Sequence, residues 1–289
     1  MTFGSLDALR ALAHQHLSSD VAERWVSLLR PAVRLEAAGG ADTVVGRLGG
    51  LPHLPADVEW PSWQGHGPLS FVASLDCGAL PVAALDIDLP PEGTLSFFYF
   101  DGQMDDGDAM VLAEDRESWA GARVLYTSPG ETSVERAAPR GLRPYPQVPL
   151  AARTGLTAAE PWHPQLRDAF APGAPLGNRY DHPVCAQDFL EAMWEFDVAA
   201  GHQIGGHAHA IQNPVEIEVA EAVLGEAATA RDARVLDQEI SDWVLLAQID
   251  SDDDAAMMWG DAGTLYWLIR PVDLTERRFD RAMFTWQCS

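Results

Sequence analysis

The chain has 289 residues and a formal net charge of −24 at pH 7, from 19 basic and 43 acidic side chains. With 47% hydrophobic and 21% charged residues it has the composition of a folded globular protein, which argues against a disordered chain. All 19 basic residues are Arg, so chemistry needing a lysine amine is excluded, and the charge argues against nucleic acid or an anionic membrane as partner, where binding depends on neutralising phosphates.

The first twenty residues lack a basic start and an unbroken apolar run, so no leader is expected. Leu6, Leu9, Ala13 and Leu17 recur at helical spacing and predict a first amphipathic helix. A second is predicted over Val21–Arg30, capped by Ser18-Ser19-Asp20 and stopped by Pro31. Alternation of Val33 and Leu35 with Arg34 and Glu36 predicts a strand over Ala32–Ala37. Three blocks then occur twice in the same order. Arg47-Leu48-Gly49-Gly50-Leu51-Pro52-His53 is echoed by Gln203-Ile204-Gly205-Gly206-His207-Ala208-His209. Leu69–Asp76 is echoed by Trp243–Asp250, and Gly93–Tyr99 by Gly263–Ile269. The second and third blocks read as buried strands, and each Gly-Gly as a turn requiring positive φ or close backbone approach. The three matches predict an internal duplication, with related halves over residues 44–128 and 200–289 of a single domain spanning 1–289. Between the halves, residues 129–183 hold 10 of the 20 prolines. Regular structure is disfavoured there, and the segment is expected to wrap over the surface. A short helix is predicted over Asp188–Val198, and Val215–Arg234 reads as strand alternation passing into a helix. The fold class expected is α+β: two β-rich halves in one compact body, with helices at the N-terminus and between the halves.

The segments GGLPHLPADVEWP and PLSFVASLD, then GHQIGGHAHAIQNP, LLAQIDSDDDAAMMWGDAGTLYWLI and FDRAMFTWQCS, resemble the signatures of the YwqG-like family, a bacterial group of uncharacterised function. The resemblance runs from about Val44 to Ser289 and implies an α+β fold with two related halves. It implies no reaction. At His53, His207 and His209 the chain departs from the family pattern, which more often carries Tyr or another residue there.

Asp250, Asp252, Asp254 and Asp261 fall at positions 1, 3, 5 and 12 of a twelve-residue loop, the spacing of a calcium-binding loop. Position 6 is Ala255 rather than Gly, and the preceding segment reads as a strand, so the bland alternative is an acidic turn with Trp259 packed inward. A second acidic loop carries Asp101 and Asp105, and the two loops are placed to flank one cleft if the halves pack about a pseudo-two-fold. His202, His207 and His209 have a spacing that could hold zinc, with Glu216 the nearest carboxylate in sequence, although isolated histidines fit as well. His53 matches His209 across the repeat. Trp63 lies in a predicted loop and is a candidate for a partner surface. Cys77 has no basic neighbour to make it a nucleophile, and no nucleophile elbow, zinc-protease motif or phosphate loop occurs. Three cysteines without a CxxC spacing point to reduced thiols in a cytoplasmic protein.

The function that fits best is a non-catalytic binding or interaction protein. It would use an acidic surface or a cleft lined by His53, Trp63, Asp101, Asp105, His207, His209 and Trp259, and its partner would be a cationic protein. No cofactor is firmly expected. The alternatives are a divalent-metal hydrolase and a calcium-stabilised protein, both built on the 250–261 loop.

Overall fold

In a computed structural model the described residues are 2–174, 181–196, 201–225 and 233–289. The chain begins with β1 (Thr2–Gly4), α1 (Leu6–His16) and α2 (Ser19–Val26). Ser5 caps α1 by accepting the Ala8 amide at 3.3 Å, and Leu9 and Ala13 form its buried stripe. The second helix stops at Val26, short of the expected Arg30. Pro31 disfavours helix at the residue before it, and Arg30 already opens the strand β2 (Arg30–Ala37).

The next strands are β3 (Val44–Leu48), β4 (His53–Pro55), β5 (Ser62–Trp63), β6 (Gly67–Pro68), β7 (Ser70–Asp76), β8 (Thr94–Tyr99), β9 (Ala122–Thr127), β10 (Ser133–Glu135) and β11 (Val148–Ala158). After α3 (Pro164–Phe170) and α4 (Gln187–Phe196) come β12 (His202–Gly205), α5 (Val215–Leu224) and α6 (Ala233–Ser241). The chain closes with β13 (Val244–Asp250), β14 (Thr264–Ile269), α7 (Pro271–Thr275) and β15 (Met283–Gln287). Residues 197 and 198 of the helix expected over 188–198, and 226–232 of the one expected within 215–234, lie outside the described residues. Val215 begins a helix directly, with no strand before it, because Pro214 sets the entry and both faces of the segment are buried (Val215, Ile217, Val219). The apparent alternation was the two-sided burial of a helix.

Ten strands form one antiparallel path, β15-β14-β13-β12-β2-β11-β3-β7-β8-β9, with β1 added beside β11. The order is symmetric about the β2–β11 pair. The registers repeat as well. Arg47 faces Ser74 as Gln203 faces Gln248, and Asp76 faces Thr94 as Asp250 faces Thr264. The β7–β8 pairing shifts between Phe71 and Ala73, and the β13–β14 pairing shifts at the matching place, between Leu245 and Ala247. Both Gly-Gly turns adopt positive φ at all four residues. A Cβ on Gly49 would stand 2.2 Å from the Pro146 carbonyl oxygen, so the turn also needs the missing side chain.

The sheet curls until its arms face each other. Inward-pointing Phe97 and Trp267 meet at 5.1 Å between ring centroids, and Tyr99 stacks on Phe284 at 5.0 Å. The Trp286 indole donates to the Val111 carbonyl at 3.0 Å, and Tyr126 of β9 touches Phe279 at 5.3 Å. The two free edges, β9 and β15, therefore approach across a short 3-10 turn, Phe279–Arg281. A second core seats α1, α2 and α4 around Trp25 and Phe189. A third lies between α5 and the outer face of β13–β15. The proline-rich stretch departs from its expectation. Its residues 148–158 form β11, the longest strand and the centre of the sheet. Pro149 sits at the second position, before the register with β2 begins at Leu150 and next to the shift toward β3 between Leu150 and Ala151, so the proline is tolerated at this end of the strand. Among the described residues no helix is long and apolar enough to cross a membrane.

Candidate functional site

Alternation along a strand sends every second side chain to the outer face of the sheet. In the second arm that face carries the row Gln203–Gln248–Tyr266, and α5 covers it through Val215 and Val219. Its polar groups turn inward. The Gln203 amide donates to the carbonyls of Gly205 at 2.7 Å and His207 at 3.0 Å. Gln248 accepts from the His209 amide and donates to the Gly201 carbonyl, each at 2.9 Å. The Tyr266 hydroxyl donates to the His209 carbonyl. Within this row Gln203 Oε1 alone lacks a partner.

The matching row of the first arm is Arg47–Ser74–Ser96, and it floors a recess of about 390 Å³. Asp76 and Thr94 form the next row, and His53 from the β4–β10 ribbon stands at the side. Arg47 Nη2 donates to the Leu51 carbonyl at 2.6 Å and to His53 Nδ1 at 3.2 Å. The His53 proton is thereby assigned to Nε2. The guanidinium also lies 5.8 Å from the centroid of the Phe71 ring. Partial burial pulls its pKa below the ordinary arginine value, with Glu135 opposing, yet an arginine stays cationic across the working range of a protein. Among the described residues Arg47 forms no ion pair, and its buried Nε has no hydrogen-bond partner. Ser96 is 1% exposed, and its Oγ likewise has no partner. Two buried polar groups without partners beside one recess cost about 1–3 kcal/mol each.

Serine, histidine and aspartate share this recess without forming a triad. His53 Nδ1 accepts from Arg47 where a triad histidine would donate to a carboxylate, and Asp76 Oδ1 accepts from the Gly78 amide at 2.9 Å.

The residues singled out from sequence are placed differently. Asp250, Asp252, Asp254 and Asp261 do not converge. Among the described residues no group of three or more His, Cys, Asp or Glu side chains is arranged to hold a metal ion. Asp250 accepts from Thr264, and burial raises its pKa. Asp252 Oδ1 caps the Ala255 amide at 2.7 Å while its Oδ2 meets His202 Nε2 at 3.3 Å, and that bond lowers its pKa. Asp254 and Asp261 are exposed. The spacing matches a calcium loop, but a bridge between Asp252 and Met257 closes the segment as a tight turn and the carboxylates splay apart. The three histidines also part. His202 is held by the Asp250 amide and Asp252, and His207 Nε2 donates to the Leu28 carbonyl at 2.9 Å. His209 lies beneath Tyr266.

His207 is 1% exposed and neutral, its pKa pushed down to about 3 chiefly by burial and secondly by the neighbouring His163. Its ring meets His163 at 5.1 Å, and the buried Glu216 carboxylate lies 3.6 Å from His163 Nε2. That neighbouring His163 holds Glu216 down at about 2 against the opposing cost of burial. Trp259 and Trp63 are core residues, at 3% and 8% exposure. Trp63 donates to the Glu117 carbonyl and stacks with His66 at 3.8 Å. Trp259 touches Tyr99 and Tyr145, and Tyr145 donates to Asp101, so the two acidic loops meet through packed aromatic rings rather than across a cleft. Asp105 caps the amides of Gly107 and Ala109. Of the sequence candidates only His53 reaches the recess. Arg47, Ser74, Asp76, Thr94 and Ser96 went unmarked because the segments read as uniformly buried. Their signal is the pairing of the matched blocks: small polar residues at the outward positions of β7 and β8, where the later blocks carry Gln and Tyr.

A family model described as "Domain of unknown function (DUF1963)" matches residues 46–288, which takes in both arms and the recess floor. No curated protein matches the chain.

Proposed function

The chain therefore belongs to that family of unknown function, and we propose from its geometry that it is a non-catalytic binding protein holding a small polar ligand with an acidic group in the first-arm recess. One observation carries this reading: Arg47, a cation with no ion pair among the described residues, lines an open recess beside Thr94 and Ser96, where the matched row of the other arm is covered by a helix. An arginine beside serine and threonine hydroxyls suits a carboxylate or phosphate, and Asp76 suits a hydroxyl or ammonium on the same molecule. The volume lies in the range of small-molecule sites. Unmade triad bonds favour binding over hydrolysis. The unconverged loop carboxylates offer no support to a metal-assisted mechanism.

Two finer readings accompany it. The symmetric strand order and repeated registers support descent of both arms from one duplicated half. The QIDSDD and WGDAG segments support a place in the YwqG-like group, and three free cysteines support a cytoplasmic setting.

The test is thermal unfolding with glutamate, glucuronate and glucose 6-phosphate as probes. A probe at a hundredfold excess over its dissociation constant stabilises by about 2.7 kcal/mol, which raises the midpoint by about 5–10 °C in a chain of this size. The rise disappears in Arg47→Met. A rise that survives Arg47→Met, or no rise with any probe, overturns the assignment.

A further inference from the structure

A recess of about 670 Å³ lies where the two edges of the sheet approach each other. Arg123 stands on the edge strand β9, and Met283 and Phe284 on the edge strand β15. The 3-10 turn brings Arg281 to the rim, and the segment before β9 adds Arg116 and Trp119. Three of the 19 arginines of a chain with net charge −24 thus line one cavity, against a single carboxylate, Asp280.

The 43 acidic side chains make it simple to neutralise an arginine, and at several places the chain does so. Arg30 meets Asp86 at 2.7 Å, Arg167 meets Asp237 at 3.0 Å, and Arg278 meets Asp273 at 2.6 Å. The three cavity arginines are treated differently. Arg123 spends Nη1 on the carbonyls of Trp119 and Ala122, both at 2.9 Å, and among the described residues forms no ion pair. Burial pulls its pKa down, with Asp280 opposing from beyond ion-pair distance. Arg116 gives Nη2 to the Val223 carbonyl at 2.6 Å and sits 5.4 Å from the Trp119 ring. Arg281 reaches Asp273 only at 3.8 Å, and Arg278 already holds that carboxylate. Apolar side chains, Val111 and Phe284 among them, complete the walls.

We propose that this inter-edge cavity binds an organic anion, with its acidic group among Arg116, Arg123 and Arg281 and a planar ring against Trp119 and Phe284. Guanidinium groups recognise carboxylate and phosphate through paired N–H donors, and a low-polarity wall strengthens that contact. The apolar lining adds area for a ring, which a bare inorganic ion could not use. The competing role is protective: charged side chains on edge strands discourage pairing with another chain.

Isothermal titration at low salt separates the two, with naphthalene-2-carboxylate and AMP as anionic probes and naphthalene-2-methanol as the neutral control. At least one anion binds and the neutral analogue binds at least tenfold more weakly. Arg281→Met, an exposed substitution, and Arg123→Met each weaken binding about tenfold, while Arg10→Met, on the exposed face of α1, leaves it unchanged. The Arg281 variant keeps the test valid if Arg123→Met, which removes two backbone contacts, lowers the thermal midpoint. Absence of binding by both anions, equal binding of the neutral probe, or equal affinity in the Arg281 variant overturns the proposal and leaves the arginines as guards of the sheet edges.

Discussion

The outer face of the first arm and that of the second are built on matched strands in matched register, and they end in opposite conditions. Gln203, Gln248 and Tyr266 are long enough to reach the backbone that folds over them, and α5 seals the row from water. Ser74 and Ser96 are too short to reach such partners, among the described residues no helix lies on them, and Arg47 extends along the recess to Leu51 and His53. One backbone frame serves as a floor for a helix or as the wall of an open recess, and the two rows differ in side-chain length at Ser74 against Gln248 and Ser96 against Tyr266. Variants at paired positions test that difference most directly.

The largest effect is expected at the centre of the sealed row. Gln248→Ala strands the His209 amide and the Gly201 carbonyl and lowers stability by about 2–4 kcal/mol. Its counterpart Ser74→Ala stays within about 0.5 kcal/mol. Urea unfolding of both measures the contrast, and equal costs would break it. Next is pH. His207 belongs to the sealed arm, and the first arm has Leu51 at the matched position, which does not titrate. Its folded pKa of about 3 lies below the ordinary 6.5, so the unfolded chain takes up a proton that the native state refuses. The associated stability is intact above pH 6.5 and falls toward pH 3, by up to about 1.4 kcal/mol per pH unit. Glu216, held at about 2, adds a loss of the same sign below pH 4.5. Equilibrium unfolding between pH 7 and 4.5 shows the slope, and His207→Gln flattens it. A smaller contrast separates the hydroxyls. Tyr266→Phe costs about 1 kcal/mol, and Ser96→Ala is neutral or stabilising because its hydroxyl has no partner to lose. The smallest effect is calcium. At 1 mM it moves the thermal midpoint by less than about 1 °C, because the loop carboxylates do not share a point. A shift of several degrees, abolished by Asp252→Asn, would show that they close around the ion.

Much of this architecture was legible along the chain. The doubled blocks correspond to β3 and β12, β7 and β13, and β8 and β14, and the first two helices lie where apolar spacing puts them. The centre was not. β11 hides in a proline-rich stretch, because the strand places Pro149 at its end, before the register with β2 begins, and local propensity carries no trace of its neighbours. The recess was hidden for a related reason. Acidic clusters at Asp105 and Asp252 attract attention by density, yet they serve as caps for their own turns. Arg47, Ser74 and Ser96 are ordinary residues until the register sets them in one row.

The symmetric strand order has a kinetic consequence. Within each arm the outermost three strands follow one another in sequence, β7-β8-β9 and β13-β14-β15, so their pairings close short loops. The join between arms is the reverse. Leu35 meets Ala152, Ile204 meets Val33, and Leu48 meets Val148, contacts spanning about a hundred residues or more. Loop-closure entropy makes such pairings slow, and they gain little until both ends are already ordered. The expected route has each meander collapsing first and β2 docking on β11 last. Substitutions in β8 or β14 then alter the folding rate, whereas substitutions in β2 alter mainly the unfolding rate, a division that stopped-flow measurements resolve.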